Sequence, residues 1–423
     1  MMRSLFAAVS GLKTHQQRMD VIGNNIANVN TPGFKKSRVT FQDMLYQTIR
    51  GASRPVEGGL GGTNPIQMGP GVSIASIDTI FGITSFQDTG KATDLGIDGE
   101  GFFVLSDGSR NYYTRVGNFD FDSEGNLVSL LNGMHVMGWM AQPDGSIKTD
   151  VEPVNICINM SETEPAKATE NIYFAGNLDS RVPIYEDDNK TPSSKIIVRQ
   201  TVYDSKGQEY IVAIELKKVG NNEWSWILNA NSIVNSTGET IEVGEQSGVL
   251  KFDTQGKIQS STETPHISFT PPGSDTLNIA LDFKGLTQYG SNSTATIQRQ
   301  DGYTAGTLES YTIDQSGTIT GVFTNGVTRS LAQIALARFS NPAGLYKNGG
   351  SLYSETSNSG KPLLGTGGAS GFGSIRPGSL EMSNVDLSSE FTEMIITQRG
   401  FQANSRVITA SDEMLQELVN LKR

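Results

Sequence analysis

Apolar residues recur at seven-residue intervals near both ends of this chain and at two-residue intervals through much of its middle. Leu5, Leu12, Met19 and Ile26 form one stripe; Leu387, Met394, Phe401, Ile408 and Leu415 form the other. A repeat of seven describes helices that share a seam, so the two ends are predicted to pair. Both stripes are narrow, because His15, Gln16, Gly23 and Asn24 cut the first and Gln398, Ser405 and Asp412 cut the second. A face of that width suits another helix better than a sheet. At 1.5 Å per residue, helices of roughly 25 to 35 residues span about 40 to 50 Å, more than a compact β domain offers as a landing surface. The pair is therefore expected to protrude and to be completed by neighbouring copies.

The grammar changes after Asn28-Val29-Asn30-Thr31-Pro32-Gly33, where Pro and Gly close the first helix. Residues 34–75 are rich in Gly, Pro, Ser and Thr, including Glu57-Gly58-Gly59-Leu60-Gly61-Gly62, and predict an extended linker or long hairpin. From Ser73 onward, strand-length runs appear, such as Phe102-Phe103-Val104-Leu105 and Lys195-Ile196-Ile197-Val198, and Trp224, Trp226 and Leu228 alternate with Ser225 and Ile227. One turn form recurs in Asp122-Ser-Glu-Gly125, Asp204-Ser-Lys-Gly207, Asp253-Thr-Gln-Gly256 and Asp314-Gln-Ser-Gly317, and Asn325-Gly326 adds a sharper one. Asp caps such a turn and Gly takes the left-handed position after it. The fold expected is mainly β and multidomain, with antiparallel sandwich or barrel-like domains and terminal α-helices paired in a coiled-coil-like inner domain.

Length and charge narrow this picture. A chain of 423 residues suggests two to four domains, and an apolar share of 36% is enough for packed cores. The net charge of -11 argues against nucleic acid as a partner. Residues 1–38 carry Arg3, Lys13, Arg18, Lys35, Lys36 and Arg38 against Asp20 alone, whereas residues 120–190 are acidic, a contrast expected to complement between copies. Residues 1–30 sum to +2 and residues 385–423 to -2. Cys157 is the single cysteine, so no internal disulfide forms, and it reads as a small core hydrophobe. No run of eighteen apolar residues predicts a membrane span, and the apolar run Leu5 to Val9 ends too early for a secretory signal.

Chemical motifs are weak. Asp120-Phe-Asp122-Ser-Glu124-Gly125 imitates a calcium loop, but its twelfth position is Leu131 where a bidentate Glu belongs, so a plain hairpin turn is expected. Gly365 to Gly373 lacks the Lys and Ser or Thr of a phosphate loop. His15, His135 and His266 lie on separate segments, without zinc-ligand spacing or a nucleophile motif. Neither enzyme activity, nor a metal, nor a cofactor is expected.

Two signatures carry a resemblance. Ser10-Gly11-Leu12 with Asn24-Asn25-Ile26-Ala27-Asn28-Val29-Asn30-Thr31-Pro32-Gly33-Phe34-Lys35 resembles the N-terminal motif of the bacterial flagellar rod and hook protein family. Ser383-Asn384-Val385-Asp386-Leu387, Gln398-Arg399-Gly400-Phe401-Gln402-Ala403-Asn404-Ser405 and Asp412-Glu413-Met414-Leu415 resemble its C-terminal motif, while Leu95 to Phe103 and Tyr113 to Phe119 resemble its inner β domain. The long insertion around Tyr203-Asp204-Ser205-Lys206-Gly207 and Asp301-Gly302-Tyr303 is similar to the outer domain of hook members, with distal rod or hook-associated members, or a secreted β-sandwich adhesin, as alternatives.

The resemblance implies a homopolymeric tube that bends while transmitting torque and sits in the hook of the flagellum. Its implied partners are rod, hook-cap and hook–filament junction proteins and the flagellar export apparatus, with no membrane insertion. It implies residues 1–30 with 385–423 as inner tube, 31–75 with 371–384 as bracing linker, 76–144 with 301–370 as inner β domain and 145–300 as outer β domain. Leu5, Leu12, Met19, Ile26, Leu387, Met394, Phe401, Asn404, Ile408 and Leu415 would make the assembly interface, and Asn24, Asn25 and Asn28 would bridge helices, line the channel or end the helix. Some family members join subunits through a cysteine and a lysine. Here Gly176 stands in the corresponding Ala-Gly-Asn-Leu-Asp stretch, so no crosslink through Cys157 is expected.

Overall fold

The computed structural model describes residues 2–54, 62–82, 84–161, 163–185, 194–229, 233–235, 240–241, 243–259 and 264–420. Two helices stand at the ends, α1 at Met2–Ala27 and α2 at Leu387–Asn420, and the described residues between them are mostly strands. The chain forms two compact units: Met1–Asn159 with Thr312–Thr320 and Arg329–Arg423, and Met160–Tyr311 with Gly321–Thr328.

In the first unit, α1 and α2 pack along each other. The stretch after α1 is a long antiparallel ribbon: Ser37–Asp43 pairs with Val72–Thr79, and Gln47–Arg50 with Ile66–Met68. Most of the glycine run expected in this linker, Glu57 to Gly61, lies outside the described residues. The ribbon lies against α1, contrary to the expectation of a helix pair standing free of β structure. The polar positions that narrow the apolar stripe supply this contact: Ser10 Oγ accepts the Val72 amide at 3.3 Å, and His15 meets the Phe41 ring edge-on at 5.7 Å.

The β core of this unit is built on Phe102–Ser106, five consecutive buried residues. That strand pairs with Asn111–Thr114 and with His135–Met140. Phe102, Tyr113, Trp139, Phe339 and Tyr353 gather in its core, their rings mostly meeting edge to face. Residues 145–159, expected in the outer domain, belong to this unit instead. Alternation explains it: Ile156 and Ile158 point inward and are fully buried, and Asn126 bridges to Cys157. The same alternation turns Cys157 outward, so it is exposed and not a core residue.

The second unit is a sandwich. One sheet is a meander of Lys195–Tyr203, Glu209–Gly220, Glu223–Leu228 and Gln246–Lys251. The other contains His266–Phe269, Leu277–Tyr289, Asn171–Asp179 and Thr296–Gln300 in that order. Trp224, Trp226 and Leu228 face inward from the first sheet, toward Phe174, Ile279 and Phe283 of the second. Burying such side chains contributes roughly 1.5–3 kcal/mol each. One pair departs from the antiparallel expectation: Asn171–Asp179 and Leu277–Tyr289 run parallel. The whole meander intervenes between them and supplies the crossover that parallel strands require.

The repeated turn is uniform. In each of Asp122, Asp204, Asp253 and Asp314, Oδ1 accepts the amides two and four residues on, at 2.8–2.9 Å. The glycine at the fourth position has φ of 78–85°. Asp122 also accepts from Asn126 Nδ2, so hydrogen bonds within the turn occupy its carboxylate.

Candidate assembly site

The helix pair is antiparallel and closes on glycines. A Cβ placed on Gly11 of α1 would fall 2.7 Å from Asn404 Nδ2 of α2, and one on Gly400 of α2 would fall 2.7 Å from the His15 ring of α1. Each helix thus offers a notch to a side chain of the other. Close approach on small residues fixes register by shape, since no Cβ fits in either notch.

Burial follows a heptad, but not the apolar one. On α1 the buried positions are Ala8, Gly11, Thr14, Ile22 and Asn25, with His15 and Arg18 half-buried between them. On α2 they are Glu390, Thr397 and Ser411, with Asn404 half-buried in the same seven-residue series. Leu5, Leu12, Met19, Ile26, Met394, Phe401 and Ile408 are half-buried on the flanks of this seam, and Leu387 and Leu415 are exposed. Asp386 starts α2 as its N-cap, accepting the Ser388 amide at 2.9 Å.

Charge and amide groups then tie the pair to its base. Arg18 donates to Glu393 at 3.1 Å and Lys36 pairs with Glu390 at 3.3 Å. Asn25 is buried and joins three elements: its Nδ2 donates to Ser37 O at 2.9 Å and to Glu390 Oε2 at 3.1 Å, and its Oδ1 accepts the Ser37 amide at 3.0 Å. Asn24 and Asn28 do something else. Asn28 Nδ2 donates to the Asn24 carbonyl and side chain at 2.9 and 3.0 Å, satisfying the helix end.

Below lies a buried ionic cluster. Lys35 is 1% exposed and its ammonium donates to Glu381 at 2.6 Å and to the Gly82 carbonyl at 2.9 Å. Arg115 approaches the other Glu381 oxygen at 3.5 Å and donates to the Gly99 carbonyl at 2.9 Å. Burial lowers the pKa of both Lys35 and Arg115, while Glu381 opposes that shift. Thr84 adds a donor at 3.2 Å, and the Gly33 amide donates to the Glu381 carbonyl at 2.7 Å. The residues that follow α1 are thereby locked to those that precede α2.

Several of these residues were not expected from sequence. Lys35, Lys36 and Arg18 read as a basic arm aimed at other copies, yet each pairs with an acid near the C-terminus of the same chain. Glu390 and Thr397 were hidden because a polar heptad does not register as a seam when apolar residues alone are counted, and Glu381, on the strand before α2, lies outside that series. The one available signal was a run of Glu390, Thr397, Asn404 and Ser411 at spacing seven beside the apolar series. The glycine-rich segment 365–373 serves close backbone packing: a Cβ on Gly373 would lie 2.6 Å from the Asp98 carbonyl.

Among the described residues no group of three or more His, Cys, Asp or Glu is placed to hold a metal, and no helix is long and apolar enough to cross a membrane. What the site offers is surface. Phe6 and Val9 on α1, and Phe391, Ile395, Ile396 and Val407 on α2, are exposed along the pair, Phe391 by 49%. Their cover must come from outside the chain if they are to leave water.

Comparison with known proteins gives the relatives of the chain. Family models match four segments: flagella basal body rod protein at residues 5–35, flagellar hook protein FlgE/F/G D1 domain at 96–163, flagellar basal body protein FlaE D2 domain at 177–303, and flagellar basal body rod FlgEFG protein C-terminal at 376–421. The chain is 45% identical over 453 positions to flagellar hook protein FlgE of Borreliella burgdorferi and 41% identical over 464 positions to that of Treponema pallidum, each alignment covering all of both chains. Its fold is similar to a crystal structure of Helicobacter pylori flagellar hook protein FlgE2, with a TM-score of 0.54 at 17% identity, covering 70% of this chain and 100% of that one.

Proposed function

The chain belongs to the flagellar hook protein family, and we propose that its copies polymerise into a bending tube whose inner wall is the α1–α2 pair. Members of this family are structural subunits of the hook, not enzymes. The observation that carries the proposal is the exposure of Phe6, Val9, Phe391, Ile395, Ile396 and Val407 on a pair whose own seam is small and polar.

A seam of Gly, Thr, Ser, Asn and Glu buries little apolar surface, so pairing within one subunit contributes only modestly. Covering the outer stripe adds roughly 1.5–3 kcal/mol per large side chain, and only neighbours supply that cover. Ordering of the helices is then coupled to joining the polymer. A head-to-tail contact whose rotation does not close yields a helical tube. Leu5, Leu12, Met19, Ile26, Met394, Phe401 and Ile408, on the flanks of the seam, are held contacts in this reading, together with the outward Leu387 and Leu415. Sliding contacts lie between outer β domains, where exposed ion pairs contribute only about 0–1 kcal/mol and exchange at low cost.

The same reading places the subunit between rod and filament, in contact with rod, hook-cap and junction proteins. Its copies pass unfolded through the flagellar export apparatus, a journey eased by the absence of any disulfide to break.

Deleting residues 386–423 tests the assignment. The truncated chain is expected to remain a soluble folded β protein by circular dichroism, to form no tubes under electron microscopy and to leave cells hookless. Tubes from the truncated chain would refute the inner-wall role.

A further inference from the structure

His15 is the one histidine of the sequence that falls in α1, α2 or the ribbon. Its Cε1 and Nε2 lie against bare backbone at Gly400, where a Cβ would be 2.7 Å away, and Phe41 closes the ring edge-on at 5.7 Å. Nδ1 is buried without a hydrogen-bond partner, so no acceptor among the described residues meets a proton added there. The charges around it offer no relief. On α1, Arg18 is the near cation, stacked 5.7 Å from the Phe41 ring; on α2, Glu393 is already engaged by Arg18 at 3.1 Å; on the ribbon, Arg38 is paired with Asp78 at 3.7 Å.

We propose that His15 is a pH-sensitive pin of the terminal helix pair: neutral, it fills the Gly400 notch, and protonated, it forces α1 and α2 apart and releases subunits from the assembled hook. Burial and then Arg18 both lower the pKa of His15 from its ordinary 6.5. The sign follows from that depression. The unfolded helix binds the proton more readily than the paired one, so pairing is most stable above 6.5 and weakens as pH falls from there toward the lowered value. A charged imidazole beside Arg18 also adds like-charge repulsion.

The inference rests on the hook reading, and the experiment separates the two. Hooks assembled from the full chain at about pH 7.5 and moved to about pH 5.5 are followed by sedimentation and by hydrogen exchange corrected for intrinsic rates. Failure to assemble at the higher pH would count against the hook reading alone. Given hooks, wild-type subunits are expected to be released several-fold faster at the lower pH, with protection lost around residues 11–19. His15→Gln hooks are expected to match wild type at the higher pH and to lose this acid response. If the Gln variant does not assemble, His15→Phe fills the notch without a proton site, and the wild-type exchange data decide independently. Equal corrected protection of α1 at both pH values, or the same pH profile in the variants, would overturn the proposal.

Discussion

Lys35 stands two residues after a Pro-Gly helix stop, where a lysine is ordinarily solvated, yet the fold encloses it with Glu381 and Arg115. Two cations share one carboxylate, and backbone carbonyls of Gly82, Ile97 and Gly99 accept further donors, while Arg115 Nε is buried without a hydrogen-bond partner. Glu381→Gln leaves both cations buried without an anion and is expected to cost about 3–5 kcal/mol, read by urea unfolding of the soluble chain. A loss under about 1 kcal/mol, the range of surface pairs, would show the cluster to be solvated. Asp179 provides a pH-dependent counterpart. Side-chain and backbone hydrogen bonds from Arg181 pull its carboxyl from 3.8 down to about 2. A depressed carboxyl contributes stability above its unfolded value that is lost as pH falls through the folded one. Asp179→Asn should therefore reduce stability near neutral pH and flatten the acid limb of the unfolding profile between about 4 and about 2. An unchanged limb would remove Asp179 from the account. Neither residue was legible beforehand, because each depends on partners that the sequence does not identify: Lys35 meets an acid from the far end of the chain, and Asp179 is held by one local arginine among many exposed pairs.

The helices and turns were more readable. Four Asp-x-x-Gly turns take one conformation because every contact they need lies within five residues. The terminal helices and their pairing were visible in the seven-residue period, but the stripe chosen by hydrophobicity was one heptad position away from the seam on α1 and three away on α2. That displacement has a physical cause. In a soluble domain the apolar stripe turns inward, whereas here close backbone approach selects small and polar residues for the inside and leaves part of the apolar surface outward for other copies. Likewise, the polar break at His15 looked like a gap in a seam and is a contact to the ribbon. Gly400→Val tests the notch. Its side chain would collide with the His15 ring, so the variant is expected to abolish tubes while the soluble chain keeps the melting temperature of its β units. Normal tube yield would mean that the helices pack elsewhere.

At the scale of the whole molecule, the two ends of the chain are bound to one another twice, by the helix notches and by the Lys35–Glu381–Arg115 cluster, and the β units are threaded between. The class of fold was legible because alternation and turn chemistry are local. The unit boundaries were not, since residues 145–159 join the first unit through Ile156 and Ile158, a contact that no composition shift announces. An all-internal seam would make a self-sufficient helix pair; a polar seam with an apolar exterior makes a component of a wall. A helical reconstruction by cryo-electron microscopy of tubes grown from the purified full-length chain tests that claim most directly. The account predicts antiparallel α1 and α2 at the smallest radius, with Gly11 against Asn404, Gly400 against His15, and Phe391, Ile395 and Val407 buried by adjacent copies. Tubes whose inner wall lacks these helices, or in which that apolar stripe still faces water, would contradict it.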